Sequence, residues 1–273
     1  MKNTCRKMKP SLKIGLFLMG ILILLAIAAP LIAKYDPYAQ DLPSALQAPS
    51  AAHPFGTDQL GRDILSRVLY AARVDLSIMV LAEIAPFVIG VLLGMCAGYF
   101  GGRTDWIISL AIDTFIAFPY YLLVIVVAFA TGAGIRGIFI TFMLVGWLLY
   151  ARVAKGMSAS LRTQEWVDAA RLQGFSDLSI IVKEILPNVL PQAVVVLMTD
   201  MAGLLVMIVT LGYLGIGISA PTPDWGTMIA EGQTMMTTAW WISVIPGVMV
   251  VLTGIALSFI GDGLADLWRE DGF

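Results

Sequence analysis

The sequence predicts an all-α membrane protein with six transmembrane helices, an outer interfacial helix and a polar handle on the cytoplasmic side. Three observations carry that class. Hydrophobic residues are 59% of the chain and charged residues only 13%, whereas charges approach a quarter of an ordinary soluble domain. The apolar residues are gathered into long runs holding at most one carboxylate each, and the segments between those runs are polar. Basic residues are uneven: twelve of the seventeen Lys and Arg fall on the side shared by both termini, the Arg103 turn and the handle. By the positive-inside rule that side is the cytoplasm.

Residues 1–13 carry Lys2, Arg6, Lys7, Lys9 and Lys13 and read as a basic cytoplasmic N-terminus. A first helix follows at 14–34, whose uncharged residues suffice to cross a hydrocarbon core of about 30 Å. A cleaved signal peptide is the competing reading, but the run is longer than an ordinary signal core and lacks a cleavage site before Lys34-Tyr35-Asp36-Pro37. Residues 35–75 form an outer loop in which Ile64, Leu65, Val68, Leu69 and Ala72 recur at helical spacing opposite Arg62, Asp63, Ser66, Arg67 and Arg73. That pattern predicts an amphipathic helix lying at the interface. The core, 76–267, supplies five more spans at 76–102, 106–135, 137–151, 189–217 and 240–260, and 268–273 is a cytoplasmic tail.

Within the spans, Gly90, Gly94 and Gly98 fall on one helical face and predict close helix packing. Phe118-Pro119 is a natural kink, because proline removes a backbone donor and crowds the preceding turn. Glu83, Asp113 and Asp200 are ionisable groups inside apolar runs, so they are expected to face protein or water. Two uses stay open for them: lining a polar conduit or proton relay, and locking helices by hydrogen bonds.

The handle is the loop at 158–188. Thr163 is a candidate N-cap for a helix over 164–173, with Glu165 and Asp168 in its first turns and Arg171 in its last, charges that suit the helix dipole. Gly174 is the expected stop. Ser176 and Asp177 open a second short helix at 178–184, which Leu186-Pro187 is expected to end. Ala169 and Ala170 are expected to give a small-residue face for a close partner, flanked by Trp166 and Leu172 as apolar anchors.

Glu165, Ala169, Ala170 and Gly174, followed by Ile185-Leu186-Pro187, resemble the E-x-x-x-A-A-x-x-x-G loop with a trailing I-L-P of permease subunits of ATP-binding-cassette importers. The run from His53 to Arg67, HPFGTDQLGRDILSR, is similar to the signature of the C-type permease of dipeptide, oligopeptide and nickel importers. The segment from Pro221 to Ile229 resembles the family's P-x-P-x-W-G-x-M-I outer loop, here expected to dip back towards the membrane, and 261–266 resemble its G-D-x-L-x-D close. The resemblance spans about 35–266. One departure is the order Leu172-Gln173-Gly174, which moves a bulky residue by one and leaves the glycine in register.

The resemblance implies the type I ABC importer permease fold, in which the helix at Glu165, Asp168, Ala169, Ala170, Arg171 and Gly174 is a cytoplasmic coupling helix. It implies as partners a second homologous permease, two cytoplasmic ATPase subunits and an extracytoplasmic solute-binding protein, in the inner membrane of a prokaryote. In the outer motif, Gly56 and Gly61 are expected to allow tight backbone, Thr57 belongs to the same turn, Asp58 is a cap, and Arg62 and Asp63 form an ion-paired brace. No G-x-x-x-x-G-K-[ST] occurs, so ATP and Mg would be used by the partner ATPases and no cofactor is expected in this chain. A single histidine, His53, excludes a multi-histidine metal site, and Cys5 and Cys96 suggest neither a disulfide framework nor a metal cluster. The spans contain no H-E-x-x-H or G-x-S-x-G, which argues against a membrane-embedded enzyme. Nothing in the charge points to nucleic acid. The solute expected is a di- or oligopeptide, with nickel or a metal chelate as the alternative. A proton-coupled carrier using Glu83 and Asp200 is the alternative of another class, although no internal repeat supports it.

Overall fold

The computed structural model describes residues 9–269. The basic stretch at 1–8, with Cys5, and the last four residues lie outside them. Among the described residues the regular structure is helical: α1 (Pro10–Ile32), α2 (Ile64–Phe100), α3 (Gly102–Ile116), α4 (Tyr120–Thr131), α5 (Ile135–Val145), α6 (Trp147–Leu161), α7 (Glu165–Leu172), α8 (Asp177–Ile180), α9 (Leu186–Tyr213), α10 (Trp225–Gln233) and α11 (Trp241–Arg269). Five stretches are long and apolar enough to cross a membrane, and six if the bent pair α3 and α4 is one span.

The pair α3 and α4 meets at 90° across Phe118-Pro119. Proline without an N–H, preceded by a residue it drives out of the helical region, turns the expected kink into a break. The fourth span runs longer than 137–151: α5 and α6 together cover Ile135–Leu161, so Arg152 and Lys155 belong to a helix rather than to its flank.

Residues 64–75 are helical as expected but not a separate interfacial helix. They are the first turns of α2, a single helix of 37 residues. Most of their polar side is turned into protein, with Ser66 and Arg67 buried beside Val68 and Ala72, while Arg73 stays exposed. Amphipathic spacing shows that one side is polar without saying what meets that side. Here it meets ion partners from elsewhere in the chain, described below.

The glycine stripe sits where α2 lies along α6. A Cβ on Gly90 would lie 2.4 Å from the Trp147 carbonyl oxygen, on Gly94 2.3 Å from that of Ala151, and on Gly98 2.3 Å from that of Lys155. Backbone touches backbone along three successive turns, and only glycine allows it. α1 packs on α11 in the same way, Gly15 against Ile260 and Gly263 against Leu12. The outward faces of the spans are apolar: Phe17, Leu24, Ile27 and Leu31 on α1, and Trp106, Leu122 and Phe129 on α3 and α4, are exposed in the isolated chain.

Leu186-Pro187 does not end a helix. A π-helical stretch, Ile181–Ile185, joins α8 to α9, with Pro187 at the start of α9 and Pro191 inside it. The wider turn absorbs the backbone bond that a proline cannot make, and the Asn188 side-chain amide donates to the Glu184 carbonyl at 2.6 Å. In the outer stretch after Gly217, Pro221 and Pro223 precede a short helix, Trp225–Gln233.

Candidate functional site

The handle is α7, its glycine stop and α8. Gln164, not Thr163, is the N-cap residue of α7, and no side chain caps it. The Thr163 hydroxyl instead donates to the Ser160 carbonyl at 2.9 Å, one of the acceptors left open where α6 ends. Glu165 and Asp168 lie in the first turn and Arg171 in the last, with Arg171 Nη1 2.8 Å from Asp168 Oδ1. Gly174 at φ +84° makes the stop, and the Gly174 and Phe175 amides return to the carbonyls of Arg171 and Ala170 at 2.9 and 3.2 Å.

Burial phases this helix. Val167 and Ala170, three residues apart, face inward onto Met95, Tyr99, Ile180, Ile181 and Ile185. Ala169 is exposed with Glu165 and Asp168, so Ala169 and Ala170 do not form one outward small-residue face; about 100° per residue puts them on different sides. Beside these charges the handle exposes large apolar side chains: Leu172 is 90% exposed and Leu178 71%, and Trp166 and Phe175 are exposed as well. Such a cluster on a polar loop marks an interaction surface.

Tyr99 ties the handle to the spans. From the end of α2 its hydroxyl donates to Asp177 Oδ1 at 2.7 Å, the Arg171 guanidinium lies 5.3 Å from its ring centre, and Arg162 Nη1 donates to its carbonyl at 3.3 Å. Sequence reasoning missed this residue. A tyrosine at the end of an apolar run, next to Phe100, reads as one more interfacial aromatic.

At mid-span, Glu83 of α2 is buried and accepts from the Tyr150 hydroxyl of α6 at 2.6 Å. Asp200 of α9 lies close enough to both groups to interact with them electrostatically. Three helices thus meet at one polar point, and both carboxylates face inward as expected. Asp113 does not: it is exposed on α3 in the isolated chain. Asp200 also borders a cleft of about 380 Å³ between the α3–α4 break and the start of α6.

At the opposite end from the handle, the outer motif closes a knot. Gly56 and Gly61 adopt φ +75° and +74°, and a Cβ on Gly61 would lie 1.8 Å from the Asp41 carbonyl oxygen. Thr57 donates to the Ser44 carbonyl at 2.6 Å and receives the Gln47 amide at 2.8 Å. Asp58 accepts from the Leu60 and Arg62 amides at 2.8 and 3.0 Å, capping its turn as expected. The brace is different from the expected pair. Arg62 pairs with Asp58 at 2.6 Å and with Glu231 at 3.0 Å, and Arg67 pairs with Asp58 and, at 2.7 Å, with Glu231. Asp63 caps α2 at the Ser66 amide, 2.8 Å, and meets His53 Nδ1 at 2.9 Å. α10 docks beside the knot through buried Trp225, whose backbone amide donates to Asp75 Oδ2 at 2.9 Å and whose indole donates to the Val68 carbonyl at 3.3 Å. Asp224 caps α10 at the Thr227 amide, and burial pushes its carboxyl above the usual range.

Apolar helices long enough to cross a membrane, folded around glycine contacts and with a glycine-stopped handle between two of them, make this a helical membrane protein. A family model described as binding-protein-dependent transport system inner membrane component matches residues 90–269, and one described as N-terminal TM domain of oligopeptide transport permease C matches 7–49; the chain belongs to this family of inner-membrane transport components. It is 36% identical over 254 residues to the dipeptide transport system permease protein DppC of Alkalihalophilus pseudofirmus, covering 93% of this chain and 83% of that one. It is 33% identical over 256 residues to the nickel transport system permease protein NikC of Escherichia coli strain K12, covering 94% and 92%. Among solved structures, the fold is similar to a chain of the MetNI methionine ABC transporter in an inward-facing conformation, with TM-score 0.58, 18% identity, and coverage of 71% of this chain and 92% of that one. At that identity the likeness establishes the type I importer permease fold alone.

Proposed function

We propose that this chain is one permease subunit of an ATP-driven importer of di- or oligopeptides, with both termini and the handle in the cytoplasm. A second homologous permease completes the pathway, a solute-binding protein delivers peptide from outside, and two ATPase subunits, using ATP and Mg, dock on α7. The observation that carries this reading is the handle: exposed Leu172 of α7 and Leu178 of α8, on two short helices that Tyr99 fastens to the end of α2 through Asp177 and Arg171. Glu165, Asp168 and Arg171 supply the polar rim, Ala169 the close approach, and Gly174 the turn that aims the helix. Buried Ala170 is its base. When the ATPases close, paired handles are drawn together and the spans rock between inward-facing and outward-facing arrangements. The likeness to both dipeptide and nickel permeases supports the class of solute, and the preference for peptide rests on the peptide and dipeptide permeases among the similar proteins.

The test is uptake into proteoliposomes carrying the whole transporter and its binding protein, comparing labelled alanyl-alanine with nickel ion. Peptide uptake that needs internal ATP is the expected result. ATP-driven nickel uptake without peptide uptake would replace the solute while keeping the permease role.

A further inference from the structure

The cleft at mid-span carries one charge of each sign, Asp200 and Arg152. Its walls are Phe115 and Phe118 before the break, Tyr120 after it, Leu149 and Arg152 of α6, and Asp200 of α9. Its volume, about 380 Å³, lies in the range of about 300–1,000 Å³ common to small-molecule sites. Most of the lining is apolar and aromatic, with an anionic and a cationic group on it. Behind Asp200, Tyr150 of α6 donates to Glu83 of α2 at 2.6 Å, so the polar contact of these two helices lies next to the anionic wall of the cleft. Arg152 has no hydrogen bond or ion pair among the described residues, although it lies within the candidate span Ile135–Leu161. It does not pair with Asp200 across the cleft. Arg152 is exposed on α6 and lines the cleft, so its guanidinium is open to an anionic group that enters there.

We infer that this cleft is a binding site for a zwitterion, with Asp200 receiving the α-ammonium of a short peptide, Arg152 its carboxylate, and the aromatic walls its side chains. This inference rests on the peptide reading above and deepens it. The two ends are chemically distinct. A carboxylate suits an ammonium, while the planar fork of Arg suits a carboxylate in two-point contact. A bare metal cation would use Asp200 and be repelled by Arg152, and a neutral solute would use neither.

The experiment is calorimetric titration of the purified, assembled transporter, without binding protein, with alanyl-alanine, its N-acetyl derivative, its C-terminal amide, and nickel ion. The native complex should bind alanyl-alanine about tenfold or more tightly than either blocked peptide, since each blocked peptide forfeits one charged contact. Asp200→Asn should erase the preference for the free amine and keep the preference for the free carboxylate; Arg152→Gln should do the reverse. A helix-locking role for Asp200 would weaken all ligands alike, and Arg152, exposed on α6, gives a second variant that leaves the Glu83–Tyr150 contact intact. Equal binding of blocked and free peptides, or variants whose end-group preferences match the native complex, would overturn the inference even if peptide uptake is sound. Nickel binding that Asp200→Asn abolishes, with no peptide binding, would overturn both the inference and the peptide reading.

Discussion

Gly94→Leu is expected to stop the spans from assembling, giving a chain that is made but recovered only as aggregate in mild detergent. The reason is geometric. The first added carbon would stand 2.3 Å from the Ala151 carbonyl oxygen and 2.9 Å from its carbonyl and α carbons, all backbone atoms that no rotamer change can move. Ordinary overpacking costs about 1–3 kcal/mol because side chains give way; here two helices must separate. Separation would also break the bond from Tyr150 to Glu83, one residue along α6 from the clash. Gly94→Ala should already lower the thermal midpoint sharply in a fluorescence melt of the detergent-solubilised protein. Gly156→Ala is the matched control. It lies in α6 with nothing within 4 Å of a built Cβ, so it should be neutral or stabilising by up to about 1 kcal/mol through helix propensity.

Asp58→Asn should produce the second large loss, confined at first to the end away from the handle. Asp58 is fully buried and holds both Arg62 and Arg67. With Glu231, the four side chains balance in charge. Neutralising one carboxylate leaves two buried guanidinium groups facing the single Glu231, a change of the kind that costs about 3–5 kcal/mol when a buried pair is broken. The loop at 35–63 and α10 share this knot, so both should become protease-sensitive together while the handle stays protected. Simultaneous replacement of Asp58 and Arg67 by Asn and Met restores charge balance and should recover much of the loss. If Asp58→Asn melts like the native chain, the knot is not what binds α10 to the outer loop.

The spans themselves were legible because lipid leaves few options: a long uncharged run in this chain crosses or is buried. Pro119 announced the break between α3 and α4, and the spacing of Gly90, Gly94 and Gly98 announced a packed seam. What could not be read was the identity of the facing group. Amphipathic spacing at 64–75 is the same whether the polar side meets headgroups or protein, and the deciding partner, Glu231, lies 164 positions beyond Arg67. The handle shows the same division. Its helix, glycine stop and charges follow from local chemistry, whereas the inward turn of Ala170 follows from Tyr99, Ile180 and Ile185 packing beneath it. Pro187 misled for a related reason: a proline stops an ideal α-helix, but a π turn lets the chain continue. Glu83 and Asp200 were recognisable as costly groups, yet their meeting with Tyr150, and the exposure of Asp113, depended on how the helices rotate.

The central claim is that α7 transmits ATP hydrolysis to the spans. The most direct measurement is solute-stimulated ATP hydrolysis alongside uptake in proteoliposomes, for the native transporter and for Leu172→Asp, which puts a charge at the most exposed apolar point of the handle. The account predicts that Leu172→Asp leaves the permease folded, with its melting temperature unchanged, while the ATPases dissociate or hydrolyse ATP without regard to solute, and uptake falls at least about tenfold, as expected for a buried interface anchor worth 1.4 kcal/mol or more. Full coupling in that variant, or native uptake that runs on a proton gradient with no ATP, would contradict it.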